Sequence, residues 1–214
     1  MIYSLGLNNY LNRYESLFRV YQRQNKEKAV QYITELFHEG KHNIEWMNER
    51  IAKINYQQLN HFIIVSPWDH DPAIRAVRKD ISVLFEGCGE YKGLILDESG
   101  HRNIVKKSVG VARQYLGSIG KVDNGQVSVF AALSQGDDVG KVDIRLYLPK
   151  RWSEDNRRCK KAGIPKKDQA HKSKAVLALQ MIQQMRGEVK YDWVEGDSIY
   201  GNSKNLWQGL QQLE

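Results

Sequence analysis

Two short apolar runs in this chain each deliver an aspartate to a turn. One reads Tyr91-Lys-Gly-Leu-Ile-Leu-Asp97-Glu-Ser-Gly100, the other Tyr191-Asp-Trp-Val-Glu-Gly-Asp197-Ser-Ile-Tyr-Gly201. The C-terminal tip of a buried strand is where α/β folds place ligand chemistry. Two such tips on neighbouring strands can hold a divalent metal between oxygen ligands. Magnesium keeps several of its waters, so two or three carboxylates suffice. The chemistry served by such a site is phosphoryl transfer, which needs phosphate charge neutralised and an attacking oxygen positioned. Each aspartate also suits a turn or a helix N-cap, the commoner role, so spacing alone leaves both readings open.

The neighbours add little. Glu98 follows Asp97 directly, and successive residues of an extended segment point to opposite faces. Glu98 therefore supports the site from behind or faces solvent. Glu195 lies two before Asp197 and could share its face. His101 sits in a Gly-His-Arg turn, a surface position. The six histidines show no zinc spacing. No phosphate-cradling glycine motif and no recognisable serine or cysteine nucleophile occurs.

Charge points to a polyanion. The net charge is +7, and Lys150 to Lys174 holds ten Lys/Arg against three acids. The rest of the chain is balanced, so this stretch carries the whole excess: Lys150, Arg151, Arg157, Arg158, Lys160, Lys161, Lys166, Lys167, Lys172 and Lys174. A second stretch, Arg102 to Lys121, adds Lys106, Lys107 and Arg113 with no acid. Concentrated positive charge fits nucleic acid, and it also fits a solvated loop. Trp152 could stack on a base, but core packing suits it better. No apolar run approaches the roughly 18 residues of a membrane span, and the N-terminus lacks the pattern of a signal peptide. Cys88 and Cys159 read as reduced thiols of a cytoplasmic protein.

Apolar spacing makes the first 86 residues helical, a region with potential for DNA binding. Ala29, Ile33, Leu36 and Phe37 share a helix face, as do Ile44, Met47 and Ile51, and Ile74, Val77, Ile81 and Leu84. Another helix starts at Tyr56 and stops at Ser66-Pro67. Gly87-Cys-Gly-Glu opens a second domain, 87–214. Its strands are Leu94–Leu96, Ser108–Tyr115, Val127–Leu133 and Val142–Leu148, three of them alternating with period two. Asp123-Asn-Gly125 and Gln135-Gly-Asp-Asp are turns between them. The basic stretch follows mostly as loop, then a helix from about Ser173 to Met185, a strand from Tyr191 to Gly196 and a helix from Asn202 to Leu213. The expected class is α/β with an α+β mixed sheet.

In its wording the chain resembles the DDE transposases of bacterial insertion sequences, the DDE superfamily endonucleases. The matching segments are Leu94-Ile-Leu-Asp-Glu-Ser-Gly100, Lys107-Ser-Val-Gly-Val-Ala-Arg-Gln-Tyr115, Gly120-Lys-Val-Asp-Asn-Gly-Gln-Val127, Arg145-Leu-Tyr-Leu-Pro-Lys-Arg-Trp152, Arg158-Cys-Lys-Lys-Ala-Gly-Ile-Pro165 and Gly196-Asp-Ser-Ile-Tyr-Gly201. Asn43-Ile-Glu-Trp-Met47, Tyr56-Gln-Gln-Leu-Asn-His-Phe62 and Ser66-Pro-Trp-Asp69 resemble the family's helical N-terminal region. The resemblance implies an RNase H-like fold with the strand of Asp97 beside the strand leading to Asp197. It implies that these aspartates are the first two of an Asp-Asp-Glu triad and that they bind Mg2+ or Mn2+. It also implies double-stranded DNA, transposon ends and target, as the partner, with homo-oligomers an open option. The reaction would be hydrolysis at the transposon ends and attack of the freed 3′-hydroxyl on target DNA.

Lys106, Lys107 and Arg113 would lie near the DNA backbone, and the basic residues from Lys150 to Lys174 would extend that surface. The location implied is the bacterial cytoplasm, at the nucleoid. The family's third carboxylate lies well beyond the second aspartate, and Glu214 is poorly placed for it. The expectation is a truncated, catalytically incomplete copy, so enzyme status stays undecided. The alternative is a non-catalytic DNA-binding remnant that inhibits full-length transposase.

Overall fold

In the computed structural model, which describes residues 2–40, 42–50, 56–87, 91–103 and 107–213, the alternating segment around Val127 is the spine of a five-stranded mixed sheet. Val127, Val129, Ala131 and Leu133 are buried along one face of a fifteen-residue strand, β5 (Lys121–Gln135). The strands before it are β3 (Gly93–Arg102) and β4 (Ala112–Leu116); those after it are β6 (Asp138–Leu146) and β7 (Trp193–Gly196). Antiparallel to β3 along one edge, β5 takes β4 and β6 in turn along the other. On the far side of β3, β7 runs parallel to it. This is the mixed sheet expected, with the strand carrying Asp97 beside the strand leading to Asp197.

Helix α8 (Lys174–Met185) closes one face. Ser173 caps its start by accepting from the Val176 N–H, and Ala175, Ala178, Met181, Ile182 and Met185 pack against Leu94, Leu96, Val129, Ala131 and Leu133. Each fully buried Leu, Ile or Met contributes on the order of 2–3 kcal/mol by leaving water. Two further helices follow β7: α9 (Ser198–Gly201) and α10 (Lys204–Gln211). Gly209 of α10 lies flush on Leu179, where a Cβ would approach within 2.4 Å.

Four local expectations are corrected. First, Asp123-Asn124-Gly125 is strand. The chain reverses earlier, at Gly117–Gly120, where Gly120 takes a positive φ (64°). Gly125 serves instead for close approach, since a Cβ there would meet the His101 carbonyl at 2.5 Å. Second, only Ala112–Leu116 of the preceding segment is strand, and Tyr115 faces solvent. Third, the basic stretch holds more short helix than a mostly looped segment. It forms α6 (Lys150–Ser153), α7 (Asn156–Lys161) and a 3-10 turn over Lys166–Asp168. Asp155 caps α7 by accepting from Arg158 N–H at 2.8 Å, and Trp152, Cys159 and Leu148 form a small core beneath. Trp152 is thus a packing residue, its indole N–H donating to the Val111 carbonyl.

The fourth correction concerns β6. Val142 and Leu148 are buried, but Ile144 and Leu146 are exposed. The register jumps from Ala131↔Asp143 to Ala132↔Lys141, leaving Val142 as a β-bulge. One extra residue exchanges the two faces of everything beyond it. Asp143 is thereby turned inward, and a buried carboxylate needs a partner. Arg78 supplies it. Only 2% exposed, Arg78 bonds Asp143 at 2.6 Å, Glu188 at 2.7 Å and the Val142 carbonyl at 3.1 Å. Arg78 lies on α5 (His70–Leu84), where it and Ile81 face the core, while Val77 and Leu84 are exposed.

The chain divides inside α5 into two units, Met1–Ala76 and Val77–Glu214. The first holds α1 (Ile2–Asn12), a two-residue hairpin β1–β2 (Arg19–Val20, Arg23–Gln24), α2 (Lys26–Leu36), α3 (Ile44–Arg50) and α4 (Tyr56–Asn60), the last continued by a π turn over His61–Val65. Its core is aromatic: Phe62 stacks on Trp68 at 6.1 Å, and Phe18 meets both edge-on. Ala29 and Met47 are buried as expected, whereas Leu36 and Phe37 are exposed. Ile51, Cys88, Lys106 and Glu214 lie outside the described residues. No described helix is long and apolar enough to cross a membrane.

Candidate functional site

The β3–β7 ladder sets the site. Its four pairs run Gly93↔Trp193, Leu94↔Val194, Ile95↔Glu195 and Leu96↔Gly196. One step further, Asp97 and Asp197 come level at the C-terminal end of the ladder. Gly93 makes this register possible, because the Trp193 indole lies across it and a Cβ would stand 2.2 Å from the ring. Asp192 closes the start of the ladder, accepting from the Lys92 N–H at 2.7 Å.

Both aspartates are exposed, and each is anchored through one oxygen. Oδ1 of Asp97 accepts from Glu98 N–H at 2.7 Å. Oδ1 of Asp197 accepts from Ile199 N–H at 2.8 Å, which makes Asp197 the N-cap of α9. Oδ2 of each has no partner among the described residues. The capping role weighed against metal binding is therefore real, and it consumes only half of the carboxylate. Two fixed, hard oxygen donors facing solvent at adjacent strand ends fit a divalent cation such as Mg2+.

Behind the pair is a contact that sequence reasoning missed. Glu98 points to the α8 side of the sheet, where Lys174 donates to its Oε1 and the Tyr200 hydroxyl donates to its Oε2 at 3.0 Å. Tyr200 belongs to α9, three residues after Asp197, and is fully buried. Burial and the nearby charges of Glu98, Asp197 and Asp97 push its hydroxyl well above the ordinary tyrosine range. Glu98 thus ties α8 and α9 to the tip of β3. The strand parity of Glu98 was the available signal; its partners lie 76 and 102 residues away.

The other candidates scatter. Lys174 is turned to Glu98. Arg113 is exposed on β4, at the opposite side of the sheet from β7. Lys107, Lys150, Arg151 and Arg157 are exposed, and Arg158 lays its guanidinium over the Trp152 ring at 3.6 Å. Lys106 lies outside the described residues. Glu195 is exposed and lines a 210 Å³ groove beside β7 with Leu96, Val194, Tyr200, Leu206 and Trp207. His101 is exposed at the end of β3. A separate group, Asp69, His70 and Asp71, brings three potential ligand atoms within 4.8 Å of one another at the start of α5. The positive end of that helix dipole works against a cation there.

The family model for the DDE superfamily endonucleases matches residues 14–214. The chain belongs to this family. Among curated DDE relatives, it is 32% identical over 169 residues to a probable transposase for insertion sequence element IS701 from Microchaete diplosiphon. That alignment covers 76% of this chain and 41% of the relative, so this DDE chain spans about two fifths of the length of the protein it matches. No solved structure matches.

Proposed function

We propose that Asp97 and Asp197 together hold a divalent cation, Mg2+ or Mn2+, as two members of the triad of a DDE transposase. The activity is cleavage of DNA at the ends of an insertion sequence and joining of those ends to target DNA. The observation carrying this reading is the parallel β3–β7 register, which levels the two carboxylates with one free oxygen each. Family membership and the name of the Microchaete relative support the same reading. When bound, such a cation neutralises phosphate charge and lowers the pKa of an attacking oxygen. The backbone N–H bonds to each Oδ1 fix the carboxylate planes, so Oδ2 is presented without rotational loss. Glu98, held by Lys174 and Tyr200, keeps α9 and its capping aspartate against β3. Lys107, Arg113, Lys150, Arg151, Arg157 and Arg158 offer positive charge to a DNA backbone, and Lys106 belongs with them by sequence.

Mn2+ titration of the purified chain, followed by electron paramagnetic resonance, tests the reading. D97N and D197N are expected to weaken binding at least about tenfold each. Unchanged affinity in both would overturn it. A second reading, DNA binding without catalysis, is favoured by the cations of α6 and α7, which rest on their own Trp152–Cys159 core. It requires that D97N bind transposon-end DNA with wild-type affinity and that neutralising the cations of α6 and α7 abolish that binding; binding lost in D97N, or kept in the neutralised variant, would reject it.

A further inference from the structure

Glu98 reaches both aspartates at once. Its backbone N–H donates to Asp97 Oδ1 at 2.7 Å. Its side chain, on the other face of β3, accepts from the Tyr200 hydroxyl of α9 at 3.0 Å. Asp197 opens that helix. Its Oδ1 takes the Ile199 N–H, and its carbonyl takes the N–H groups of Tyr200 at 3.1 Å and Gly201 at 2.8 Å. A displacement of Tyr200 therefore carries Asp197 with it. With four residues, α9 is far too short to hold itself as a helix, so its seat is set by what it packs on. Tyr200 is 1% exposed and lies close on Gly196, where a Cβ would come within 2.9 Å of the tyrosine Cβ. The bond to Glu98 ties the far end of the same side chain to β3.

Lys174 completes the arrangement. It is the first residue of α8, at the positive end of a helix dipole, where a lysine costs roughly 0.3–1 kcal/mol. Its ion pair with Glu98, both side chains about one-fifth exposed, offsets that cost. Lys174 holds Oε1 while Tyr200 holds Oε2. The Glu98 carboxylate is thus fixed through both oxygens and its charge is compensated, so it does not compete with the aspartates for a cation.

We infer that Glu98 is a positioning residue that sets the spacing of the Asp97 and Asp197 carboxylates through Tyr200, and that this makes their site selective for Mg2+ over Ca2+. The inference rests on the cation reading proposed above. Mg2+ demands near-octahedral geometry with oxygens at about 2.0–2.1 Å, whereas Ca2+ accepts flexible arrangements at about 2.3–2.6 Å. Two carboxylates held at one spacing serve the stricter ion, and a pair free to drift loses that ion first.

The test is displacement of Mn2+ from the purified whole chain, followed by electron paramagnetic resonance, with Mg2+ and with Ca2+ as competitors. The quantity read is the ratio of the two affinities, and wild type is expected to favour Mg2+. Y200F changes no charge and leaves both aspartates in place. It is expected to weaken Mg2+ about tenfold and Ca2+ by less than about threefold. K174M releases Oε1 and is expected to lower the same ratio, even though losing a nearby cation favours both ions. R78M, destabilised outside this site, is expected to keep the wild-type ratio, so a fall in Y200F reports position and not stability. A wild-type ratio in folded Y200F, an equal fall in R78M, or a wild type that prefers Ca2+ overturns the inference. Should Y200F unfold, an unchanged ratio in K174M does so. Unchanged Mn2+ affinity in D97N and D197N would remove the cation reading and this inference together. Weakened Mn2+ binding in those two variants, beside an unchanged ratio in Y200F, removes this inference alone.

Discussion

Replacing Arg78 by methionine removes a buried cation and keeps much of its volume. In the wild type the guanidinium bonds Asp143, whose side chain is fully buried, and Glu188, whose side chain is half exposed. The Glu188 bond is screened and contributes less than about 1 kcal/mol. The Asp143 bond is the larger quantity, because its loss leaves a core carboxylate without its shortest charged contact, with Arg145 at 3.3 Å and the Ile144 N–H among its remaining partners. Removing one member of a buried pair costs about 3–5 kcal/mol. For a chain of this size each kcal/mol lowers Tm by about 2–4 °C, so R78M should melt roughly 6–20 °C below wild type. R78M/D143L removes both charges and should recover most of the loss, since a well-packed apolar pair is close to neutral. Thermal denaturation followed by circular dichroism decides it. A fall of less than about 3 °C in R78M, or a double variant melting at the sum of the two single losses, refutes the account of a coupled pair required by the bulge.

Three further outcomes are expected. Y200F should lose about 1.5–3 kcal/mol at neutral pH with the hydrogen bond to Glu98. Because the folded pKa of Tyr200 lies above the unfolded value near 10, its contribution is complete below about pH 10 and declines above it; a stability–pH curve with the same alkaline slope in Y200F would contradict this. G93A forces the Trp193 indole off β3 at a cost of about 1–3 kcal/mol; an unmoved 19F signal from fluorotryptophan at Trp193 would show that the ring was not fixing the register. D197A should melt about 2–4 °C lower through loss of the α9 cap, worth about 1 kcal/mol, while D197N keeps the cap and loses only the charge; equal melting of the two would remove Asp197 from the capping role.

Legibility in the sequence followed the range of the interactions. Alternation in β5 and the apolar stripe of α8 were readable because a face buried along its whole length imposes a strict period. The faces of β6 were not, because the bulge at Val142 changes phase without altering composition. Val77 and Leu84 read as core on α5 and are exposed, while Arg78, on which the apolar pattern is silent, is buried against Asp143, 65 residues on. The basic stretch read as loop since charge masked its short caps and the two buried side chains, Trp152 and Cys159. The strand-tip aspartates were visible from local pattern and became a pair through the family resemblance. The Glu98–Lys174–Tyr200 contact joins three elements, and no local pattern marks it.

The β3–β7 ladder joins residues one hundred apart through four pairs, and β7 has no second neighbour among the described residues. Such a distant pairing forms late, since the chain between must be closed before the contact can repay the cost. On the proposed reading, the cation binds only after this ladder has formed. Mass action then makes the ion a fastener: each tenfold excess over Kd holds the strand closed by about 1.4 kcal/mol more. The free divalent ion level would set how often Val194 to Gly196 detach, and amide exchange along those residues would slow as the ion rises. Assembly of the sheet edge and loading of the site would be a single event, so an immature chain would carry no primed centre.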